Sequence, residues 1–306
     1  MNKKNLITIN DLSTLEILEI LKTAKKLKKS PLSKKTALKD RTLALLFQKP
    51  SNRTRISFEV AMVHLGGYVL YLSPREIDMG KRESVKDVAR VISRYVDGVV
   101  ARVYSHQDVE ALASYSDVPV INGLSDLEHP CQALSDIFTI QEKMGKLKGA
   151  VLAYVGDGNN VLNSLLLVCA KTGVNVKVAT PKGYEPQKAI LENALKFAKD
   201  NGSKIEVFND AQEAVRESDV VYTDVWVSMG QEDERGKRLR DFENFQVNEK
   251  LMKCAKKDTL IMHCLPAHRG EEVTDVIDGK NSVIYDQAEN RMHVQKAILL
   301  KLLGKR

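Results

Sequence analysis

Short apolar runs alternate with longer segments of helical periodicity along most of the chain. The runs are bounded by polar residues, glycine or proline, which is typical of strands buried on both faces. They predict strands at residues 42–47, 68–72, 98–101, 118–122, 150–155, 174–179, 205–208, 220–223 and 259–263. Strands that alternate with helices in this way predict an α/β fold of wound, mainly parallel sheets flanked by helices.

Apolar residues at every third or fourth position predict the helices. These lie at residues 12–29, 56–65, 84–95 and 109–115, with one that ends at residue 144 and a final one at 292–303. The polar stretch 73–83 contains Pro74 and Gly80 and predicts a loop. Gly145 and Gly149 interrupt the pattern, and 306 residues suffice for two domains. We therefore expect a first domain at residues 1–145 and a second from residue 146.

Composition narrows the class of protein. Hydrophobic residues make up 43% and charged residues 28%, as in an ordinary soluble globular chain. No apolar run approaches the ~18 residues of a membrane span, and residues 1–5 lack the apolar core of a signal peptide. The four cysteines show no close-paired spacing. We expect reduced thiols, no metal, no membrane partner and a cytoplasmic location.

The formal charge of +7 is compatible with a nucleic acid partner, with an anionic small substrate, or with solubility alone. The lysines between residues 22 and 35 recur at helical spacing with few aromatic residues among them. This pattern indicates a solvated helix face. Nucleic acid is therefore the least favoured of these explanations.

A polar turn links the strand at 42–47 to a helix, and its residues are Ser51, Asn52, Arg53, Thr54 and Arg55. A helix start offers free backbone N–H groups and a positive dipole end, so hydroxyls and one arginine would complete a phosphate cradle (residues 51–54). Arg53 and Arg55 are two positions apart and point in different directions, so we expect only one to hold the ligand. The alternative is that Ser51 is merely an N-cap and both arginines are solvated.

Other polar residues follow the remaining strands of the first half. Arg102 ends the strand that begins at residue 98, and His129 precedes Pro130 after the strand at 118–122. Ligands of parallel sheets collect at the carboxyl ends of strands, so we expect Arg53, Arg102 and His129 to converge. The helix start at Pro130 favours a neutral imidazole that donates to a carbonyl oxygen, although His129 could instead only cap its helix.

The second half begins with part of a dinucleotide-binding pattern. The strand at 150–155 is followed by Gly-Asp-Gly-Asn-Asn, but Val161 occupies the third glycine position. The next strand ends in Thr180 and Pro181, where a ribose-binding acid would be needed. NAD is therefore disfavoured, and we expect Asn160 to offer its amide to a small polar ligand.

Several motifs then point to one family. They are residues 51–55, residues 129–132, Asp224 with residues 228–230, residues 263–266, and Arg291. Together they resemble the ornithine carbamoyltransferases of the aspartate/ornithine carbamoyltransferase family over essentially the whole chain. Each motif alone is weak, whereas their joint occurrence in this order is highly specific. The resemblance implies transfer from carbamoyl phosphate to L-ornithine, giving L-citrulline and phosphate in arginine metabolism, without metal or cofactor.

The resemblance also implies domains and site residues. Residues 1–145, completed by a helix at 290–306, would bind carbamoyl phosphate, and residues 146–289 would bind ornithine. The chain would form a homo-oligomer that is a trimer or a multiple of trimers. The implied carbamoyl phosphate-binding residues are Ser51, Asn52, Arg53, Thr54, Arg102, His129, Pro130, Cys131, Gln132, Cys264, Leu265 and Arg291, of which Arg53, Arg102, His129 and Cys264 would be catalytic. The implied ornithine-binding residues are Asn160, Asp224, Ser228 and Met229.

The chemistry of these residues agrees with the resemblance. Carbamoyl phosphate needs cationic donors for its phosphate and donors for a carbonyl oxygen that becomes negative. An α-amino acid needs a carboxylate for its ammonium, which Asp224 supplies, and amides or hydroxyls for its carboxylate, which Asn160 and Ser228 supply. Cys264 with His263 or His268 as its base is the less favoured, covalent alternative.

Other functions compete with this interpretation. The same chemistry could use putrescine, an acylated ornithine or aspartate as acceptor, but Asp224 disfavours an amine whose charge is capped. A noncatalytic binding protein for anionic metabolites or RNA is a second alternative, and it predicts salt-dependent affinity for nucleic acid. A dehydrogenase is the third, already weakened at Val161 and Thr180.

Two positions depart from the family pattern. Asn52 stands where the cradle usually has threonine, although asparagine still offers N–H donors. Asp78 stands where a side chain of the loop 73–83, often glutamine, reaches the phosphate of a neighbouring subunit, and a carboxylate would repel phosphate unless Lys81 or Arg82 screens it. The charged segment 231–240 is a candidate closing loop, since such segments are easily moved.

Overall fold

The computed structural model describes residues 5–77, 79–80, 82–228 and 230–304. They form two compact units. The first unit comprises the residues up to Phe138 and those from Glu289 onward. The second unit extends from Thr139 to Ala288. Three residues named above, Asp78, Lys81 and Met229, lie outside the described residues.

The first unit contains a four-stranded parallel sheet in the order β2-β1-β3-β4. The strands are β1 (Thr42–Phe47), β2 (Tyr68–Leu72), β3 (Gly98–Arg102) and β4 (Val120–Leu124). The helices are α1 (Thr14–Lys29), α2 (Asn52–Leu65), α3 (Pro74–Ile77), α4 (Val85–Ile92), α5 (His106–Tyr115) and the first part of α6 (Pro130–Met144). The direction of strand order changes between β1 and β3, and ligands bind at such switch points.

The second unit contains a five-stranded parallel sheet in the order β7-β6-β5-β8-β9. The strands are β5 (Val151–Val155), β6 (Asn175–Ala179), β7 (Ile205–Phe208), β8 (Val220–Thr223) and β9 (Leu260–His263). The helices are α7 (Asn160–Thr172), α8 (Lys188–Asn201), α9 (Ala211–Val215), α10 (Arg235–Asp241), α11 (Glu249–Met252) and the start of α12 (Ile284–Leu303). Its switch point lies between β5 and β8.

Each sheet carries its own apolar core. In the first unit, Leu46 and Val99 from the strands pack with Val88 of α4 and residues of α5. In the second, Val155 and Val221 pack in a cluster with α9 and the residues that follow α10. Full burial of one such side chain contributes about 1.5–3 kcal/mol to the free energy of folding. These cores fix the strands, and so fix the positions of the polar residues at their ends.

The predicted α/β class with parallel wound sheets is confirmed, and each predicted strand has a counterpart in the described chain. Three helices begin earlier than their periodicity predicts, and one of them is α5, which begins at His106 instead of residue 109 because Ser105 caps it. Helix α2 begins at Asn52 instead of residue 56, because Ser51 caps it. Helix α12 begins at Ile284 instead of residue 292, because buried polar residues such as Gln287 and Asn290 hide its apolar period.

The predicted loop at 73–83 contains one turn of helix, α3, which begins at Pro74. Proline is tolerated in the first turn because no helical hydrogen bond from its nitrogen is needed there. No helix in the described parts of the chain is both long and apolar enough to cross a bilayer.

Candidate active site

The phosphate cradle forms the start of α2. Ser51 has an extended backbone, and its hydroxyl accepts the backbone N–H of Thr54 at 3.3 Å. The N-cap expected at Ser51 is therefore present. The other N–H groups of the first turn have no acceptor within the helix, so this end of α2 offers the donors that bind an anion.

The two arginines of this turn have different surroundings. Arg55 is exposed, donates to Glu59 at 2.8 Å and lies 3.8 Å from the centre of the Tyr71 ring. Arg53 is half-buried, and its neighbour Asn52 is exposed. Because the guanidinium of Arg55 is already engaged on the surface, Arg53 is the better candidate for binding an anion at the cradle.

Two buried arginines accompany the cradle. Arg291 of α12 is 4% exposed and donates to the hydroxyl of Thr54 at 2.9 Å. Arg102 ends β3 in register with Phe47, the last residue of β1. It therefore lies beside the chain that leads into the cradle. Together they bring positive charge to the carboxyl ends of β1 and β3, as an anion site requires.

His129 lies close to both buried arginines. It immediately precedes α6 and is 4% exposed. Burial, together with the positive charges of Arg291 and Arg102, lowers the pKa of His129 well below its ordinary value. The lowered pKa agrees with the neutral ring expected from the sequence, and burial is its largest cause. A neutral imidazole has one N–H to donate to an oxygen.

The first turn of α6 carries Pro130, Cys131 and Gln132. Cys131 is fully buried, and burial raises the pKa of its thiol to about 12 against the opposing effect of Arg291. Such a thiol stays protonated and unreactive. The amide nitrogen of Gln132 donates to Asp136 at 2.8 Å, whereas its buried amide oxygen accepts no hydrogen bond from the described residues. That oxygen can accept an N–H from a ligand.

In the second unit, Asp224 is the centre of a hydrogen-bond network at the end of β8. One carboxylate oxygen accepts the amide of Asn159 at 2.7 Å. The other accepts the backbone N–H of Val225 at 2.8 Å and the thiol of Cys264 at 2.9 Å. These contacts join the carboxyl ends of β5, β8 and β9 around the switch point of the sheet.

Asn159 is a functional candidate that the sequence pattern misses. Its oxygen accepts two backbone N–H groups of the first turn of α7 and the hydroxyl of Tyr154 at 3.3 Å. Its nitrogen holds Asp224. The predicted Asn160 is the next residue, half-buried and first in α7. The Asn-Asn pair is the available signal, but only the cap geometry shows which side chain faces Asp224.

Carboxylates dominate the electrostatics of this region. Burial and the charges of Asp224 and Asp157 raise the pKa of Tyr154 well above its ordinary value. Burial also raises the pKa of Asp157, against the effect of Arg238, which donates to it at 2.9 Å. The negative potential suits a cationic ligand group near Asp224.

His263 and Glu272 hold the segment that carries Cys264 and Leu265. The Nδ1 of His263 accepts the backbone N–H of Leu265 at 2.8 Å, so its own N–H is on Nε2, which faces Glu272 at 3.2 Å. Leu265 has a φ of +60°, a left-handed conformation that a leucine rarely adopts, and it precedes a cis peptide bond. The buried His263–Glu272 pair therefore supports a strained turn at the end of β9.

The same contacts weigh against a covalent centre at Cys264. Both ring nitrogens of His263 are engaged, and Asp224 beside the thiol disfavours a thiolate. The other candidate base for Cys264, His268, has its Nδ1 atom 3.6 Å from a carboxylate oxygen of Glu272. The ligand atoms of Asp224, His263 and Cys264 lie within 4.8 Å of one another, but His263 has no free lone pair to give to a metal.

Two further predicted ornithine-binding residues are Ser228 and Met229. Ser228 lies before the charged segment 231–240, and Met229 is outside the described residues. The backbone N–H of Ser228 donates to the Gln231 side chain at 3.2 Å. Helix α10 then places Arg238 in the interior, where it donates to Asp157 and, at 3.0 Å, to the carbonyl of Trp226. This buried ion pair anchors the second half of the segment, and closure over a ligand stays a prediction.

Two family models match the chain. The aspartate/ornithine carbamoyltransferase, carbamoyl-P binding domain matches residues 4–142, and the aspartate/ornithine carbamoyltransferase, Asp/Orn binding domain matches residues 148–302. The cradle, Arg102 and His129 fall within the first match, and Asp224 and Cys264 fall within the second. The positive and negative sites thus belong to the domains described by their carbamoyl phosphate and amino-acid ligands.

Individual relatives agree over nearly full length. The ornithine carbamoyltransferase of Pyrococcus horikoshii is 58% identical over 268 residues, which is 87% of this chain and 84% of that protein. The one from Anoxybacillus flavithermus is 52% identical over 98% of this chain and 96% of its own. The solved ornithine carbamoyltransferase from Pyrococcus furiosus has a TM-score of 0.96 and 53% identity, covering 99% of this chain and 98% of that chain. The chain therefore belongs to the aspartate/ornithine carbamoyltransferase family.

Proposed function

We propose that this protein catalyses the ornithine carbamoyltransferase reaction, in which carbamoyl phosphate and L-ornithine give L-citrulline and phosphate. The observation that carries the proposal is a pair of sites with opposite charge in the two units. In the first unit, Arg291 and Arg102 lie close enough to His129 to add to the effect of burial on its pKa, and in the second, Asp224 and Asp157 do the same for Tyr154. The named relatives are ornithine carbamoyltransferases, which supports ornithine as the acceptor within arginine metabolism.

The first unit would bind carbamoyl phosphate through positive charges and through directed hydrogen bonds. The backbone and hydroxyls of residues 51–54, with Arg53, Arg102 and Arg291, supply donors for the phosphate oxygens. The neutral ring of His129 donates to the carbamoyl carbonyl, whose oxygen becomes negative in the transition state. The free amide oxygen of Gln132 accepts an N–H of the carbamoyl group.

The second unit would bind the amino acid through Asp224, which pairs with the α-ammonium, while Asn160 and Ser228 bind the α-carboxylate. Asn159 fixes the Asp224 carboxylate, so that little reorganisation is needed when the ammonium arrives. Cys264 and Leu265, which follow β9, stay the predicted carbamoyl phosphate-binding residues of this unit, with Cys264 among the catalytic residues. An acceptor with a capped α-amine would leave Asp224 without a charged partner.

The reaction itself needs no covalent enzyme intermediate. The δ-ammonium of ornithine has a pKa of about 10.4 by analogy with lysine, and it must lose a proton before it can attack. The amine nitrogen then forms a bond to the carbamoyl carbon, the bond from that carbon to the phosphate oxygen breaks, and phosphate leaves with the electron pair and takes up the proton that the attacking nitrogen loses. Orientation and electrostatic stabilisation of the carbonyl oxygen supply the rate enhancement.

The proposal includes a homotrimeric unit in the cytoplasm. Ile56 and Val63 on α2, and Tyr68 and Leu70 on the edge strand β2, are 50–69% exposed. Large apolar side chains in such numbers favour burial against another chain, and a second copy of this chain is the proposed partner. The cysteines form no disulfide, which fits a reducing compartment.

The experiment measures phosphate release and the carbamoylated product formed from carbamoyl phosphate, with ornithine, which gives citrulline, and with putrescine, N-acetylornithine and aspartate offered separately. We expect turnover with ornithine alone, a severe loss in Arg53→Ala, and near-normal activity in the matched control Arg55→Ala, because Arg55 is engaged with Glu59. Putrescine has no α-carboxylate, so equal turnover with putrescine would overturn the acceptor assignment. No turnover with any amine would favour the noncatalytic binding protein.

A further inference from the structure

Gln48 joins separate parts of the first unit by hydrogen bonds. It follows β1 directly and precedes the cradle. Its backbone N–H donates to the carbonyl of Arg102 at 2.8 Å, and its side-chain oxygen accepts the backbone N–H of Tyr104 at 2.8 Å. Its side-chain nitrogen donates to the carboxylate of Asp108 at 3.0 Å and to the carbonyl of Met79 at 3.3 Å.

These partners require an amide at position 48. The backbone N–H of Tyr104 can only donate, whereas the carbonyl of Met79 and the ionised carboxylate of Asp108 can only accept. A glutamine amide offers an acceptor on one side and two donors on the other, so it satisfies all of them. A glutamate would lose both donors and would set a second negative charge against Asp108.

The contacts of Gln48 include Arg102 itself and Tyr104, two residues further along the chain, and so fix the end of β3. The neighbouring Lys49 adds to this, because its ammonium lies 4.4 Å from the centre of the Tyr104 ring. Between them, Val103 donates to the carbonyl of Leu124 in β4 at 2.9 Å. The strand end is therefore held by residues 48–49 on one side and by β4 on the other.

We propose that Gln48 is a positioning residue for the anion site, which sets the place of Arg102 relative to the cradle and holds the turn at Met79 beside them. It acts through Arg102, not by contact with the substrate. The inference rests on the proposed function, because carbamoyl phosphate is taken as the anion that Arg102 and the cradle bind together. Binding of an anion by an arginine weakens steeply when the arginine is displaced by a fraction of a hydrogen-bond length.

The kinetic test compares Gln48→Glu, the double variant Gln48→Glu/Asp108→Asn and the matched control Gln107→Glu, whose side chain is exposed on α5. The double variant reverses donor and acceptor between positions 48 and 108 and keeps the charge of the original pair. We expect the KM for carbamoyl phosphate to rise about tenfold in Gln48→Glu, with little change in the KM for ornithine. The double variant should recover most of this loss, and the control should behave as wild type.

An unchanged KM for carbamoyl phosphate in Gln48→Glu would overturn the proposal. So would a loss that the double variant does not recover, or an equal rise in the KM for ornithine, because a general loss of structure predicts both. Recovery in the double variant also shows that the single variant's defect is not a failure to fold at position 48.

Limited trypsin digestion gives a readout that does not depend on turnover. Met79 lies between the exposed residues Arg75 and Arg82, and its carbonyl loses its donor in both variants at position 48. Cleavage after these arginines should therefore be faster in both than in wild type and Gln107→Glu. If wild type makes no citrulline, the proposed function fails while this result still stands. Unchanged cleavage in Gln48→Glu would show that the hydrogen bond from Gln48 to Met79 does not hold this turn, and the inference would then fail.

Discussion

The two candidate sites lie at equivalent places in two parallel sheets but have opposite electrostatic character. In the first unit, burial and the charges of Arg291 and Arg102 lower the pKa of His129. In the second, burial and the charges of Asp224 and Asp157 raise the pKa of Tyr154. The same strand-end geometry thus gives a candidate anion site in one unit and a candidate cation site in the other. The difference comes from the side chains that follow the strands, since function depends on sites and not on the fold.

The sites also differ in how their groups are held. The cradle uses the start of α2, so its donors are largely backbone N–H groups with a fixed direction. Asp224 is instead held mainly by side chains, the amide of Asn159 and the thiol of Cys264, together with one backbone N–H, that of Val225. We therefore expect the first site to respond mainly to loss of charge, and the second to loss of charge or of orientation.

The largest expected effect is on the positive site. Arg102→Ala should lower kcat/KM for carbamoyl phosphate about a thousandfold, because charge-assisted hydrogen bonds to phosphate are lost in a buried place. The KM for ornithine should change little. Steady-state kinetics with each substrate varied in turn measures both, and Arg94→Ala, an exposed arginine, is the control. Equal losses of kcat/KM for carbamoyl phosphate and for ornithine would contradict the proposed difference between the two sites.

The negative site should show the reverse pattern. Asp224→Asn keeps the size of the side chain and removes its charge, so kcat/KM for ornithine should fall about a hundredfold. The KM for carbamoyl phosphate should stay near that of wild type. Asp233→Asn, at an exposed position, should have no comparable effect. Normal ornithine kinetics in Asp224→Asn would show that Asp224 is not the partner of the α-ammonium, which the proposal requires.

Orientation of Asp224 gives a smaller effect. Asn159→Ala should raise the KM for ornithine about tenfold and, because Asn159 caps α7, lower the free energy of unfolding by about 1 kcal/mol. The matched control is Asn248→Ala, which removes the cap of α11 away from Asp224. It should lose stability without any change in the ornithine KM. If both variants change that KM alike, Asn159 acts only on stability.

The smallest effect concerns the neutral state of His129. Folding lowers its pKa, so below about pH 6.5 the unfolded chain binds a proton that the folded chain does not. The free energy of unfolding therefore falls as pH decreases through that range and is unaffected above it. His129→Gln should make the fall shallower by up to about 1.4 kcal/mol per pH unit.

Denaturant unfolding between about pH 7.5 and 5 would measure this difference in slope. His64, His106 and His293 also have lowered pKa values and remain in both proteins, so only the difference between the two curves is informative. Identical slopes would mean that the surroundings of His129 do not hold its ring neutral.

Much of the fold and site could be predicted from the sequence because apolar runs end in polar residues. Arg102 and Asp224 each follow a buried strand, and the wound order of strands brings such residues together. Helix starts were harder to predict. At α12, buried polar residues replace the apolar period, so the pattern gives no sign of the first two turns.

The contacts that support the site could not be predicted, because they join residues far apart in the chain. Arg238 meets Asp157 across 81 positions, and Gln48 meets Tyr104 across 56. Within the Asn-Asn pair, composition cannot say which amide faces Asp224, since that depends on the cap of α7. Strand ends reveal candidate ligand groups, whereas the groups that position them emerge only with the three-dimensional structure.

The most direct test of the account follows the carbamoyl group itself. Purified protein would be given carbamoyl phosphate labelled with ¹³C at the carbonyl carbon together with unlabelled L-ornithine, and the products would be measured by NMR and by a phosphate assay. We expect label in the ureido carbon of citrulline and one phosphate released for each citrulline formed. Release of phosphate without labelled citrulline would contradict it, because the carbamoyl group would then have gone to water instead of the amine.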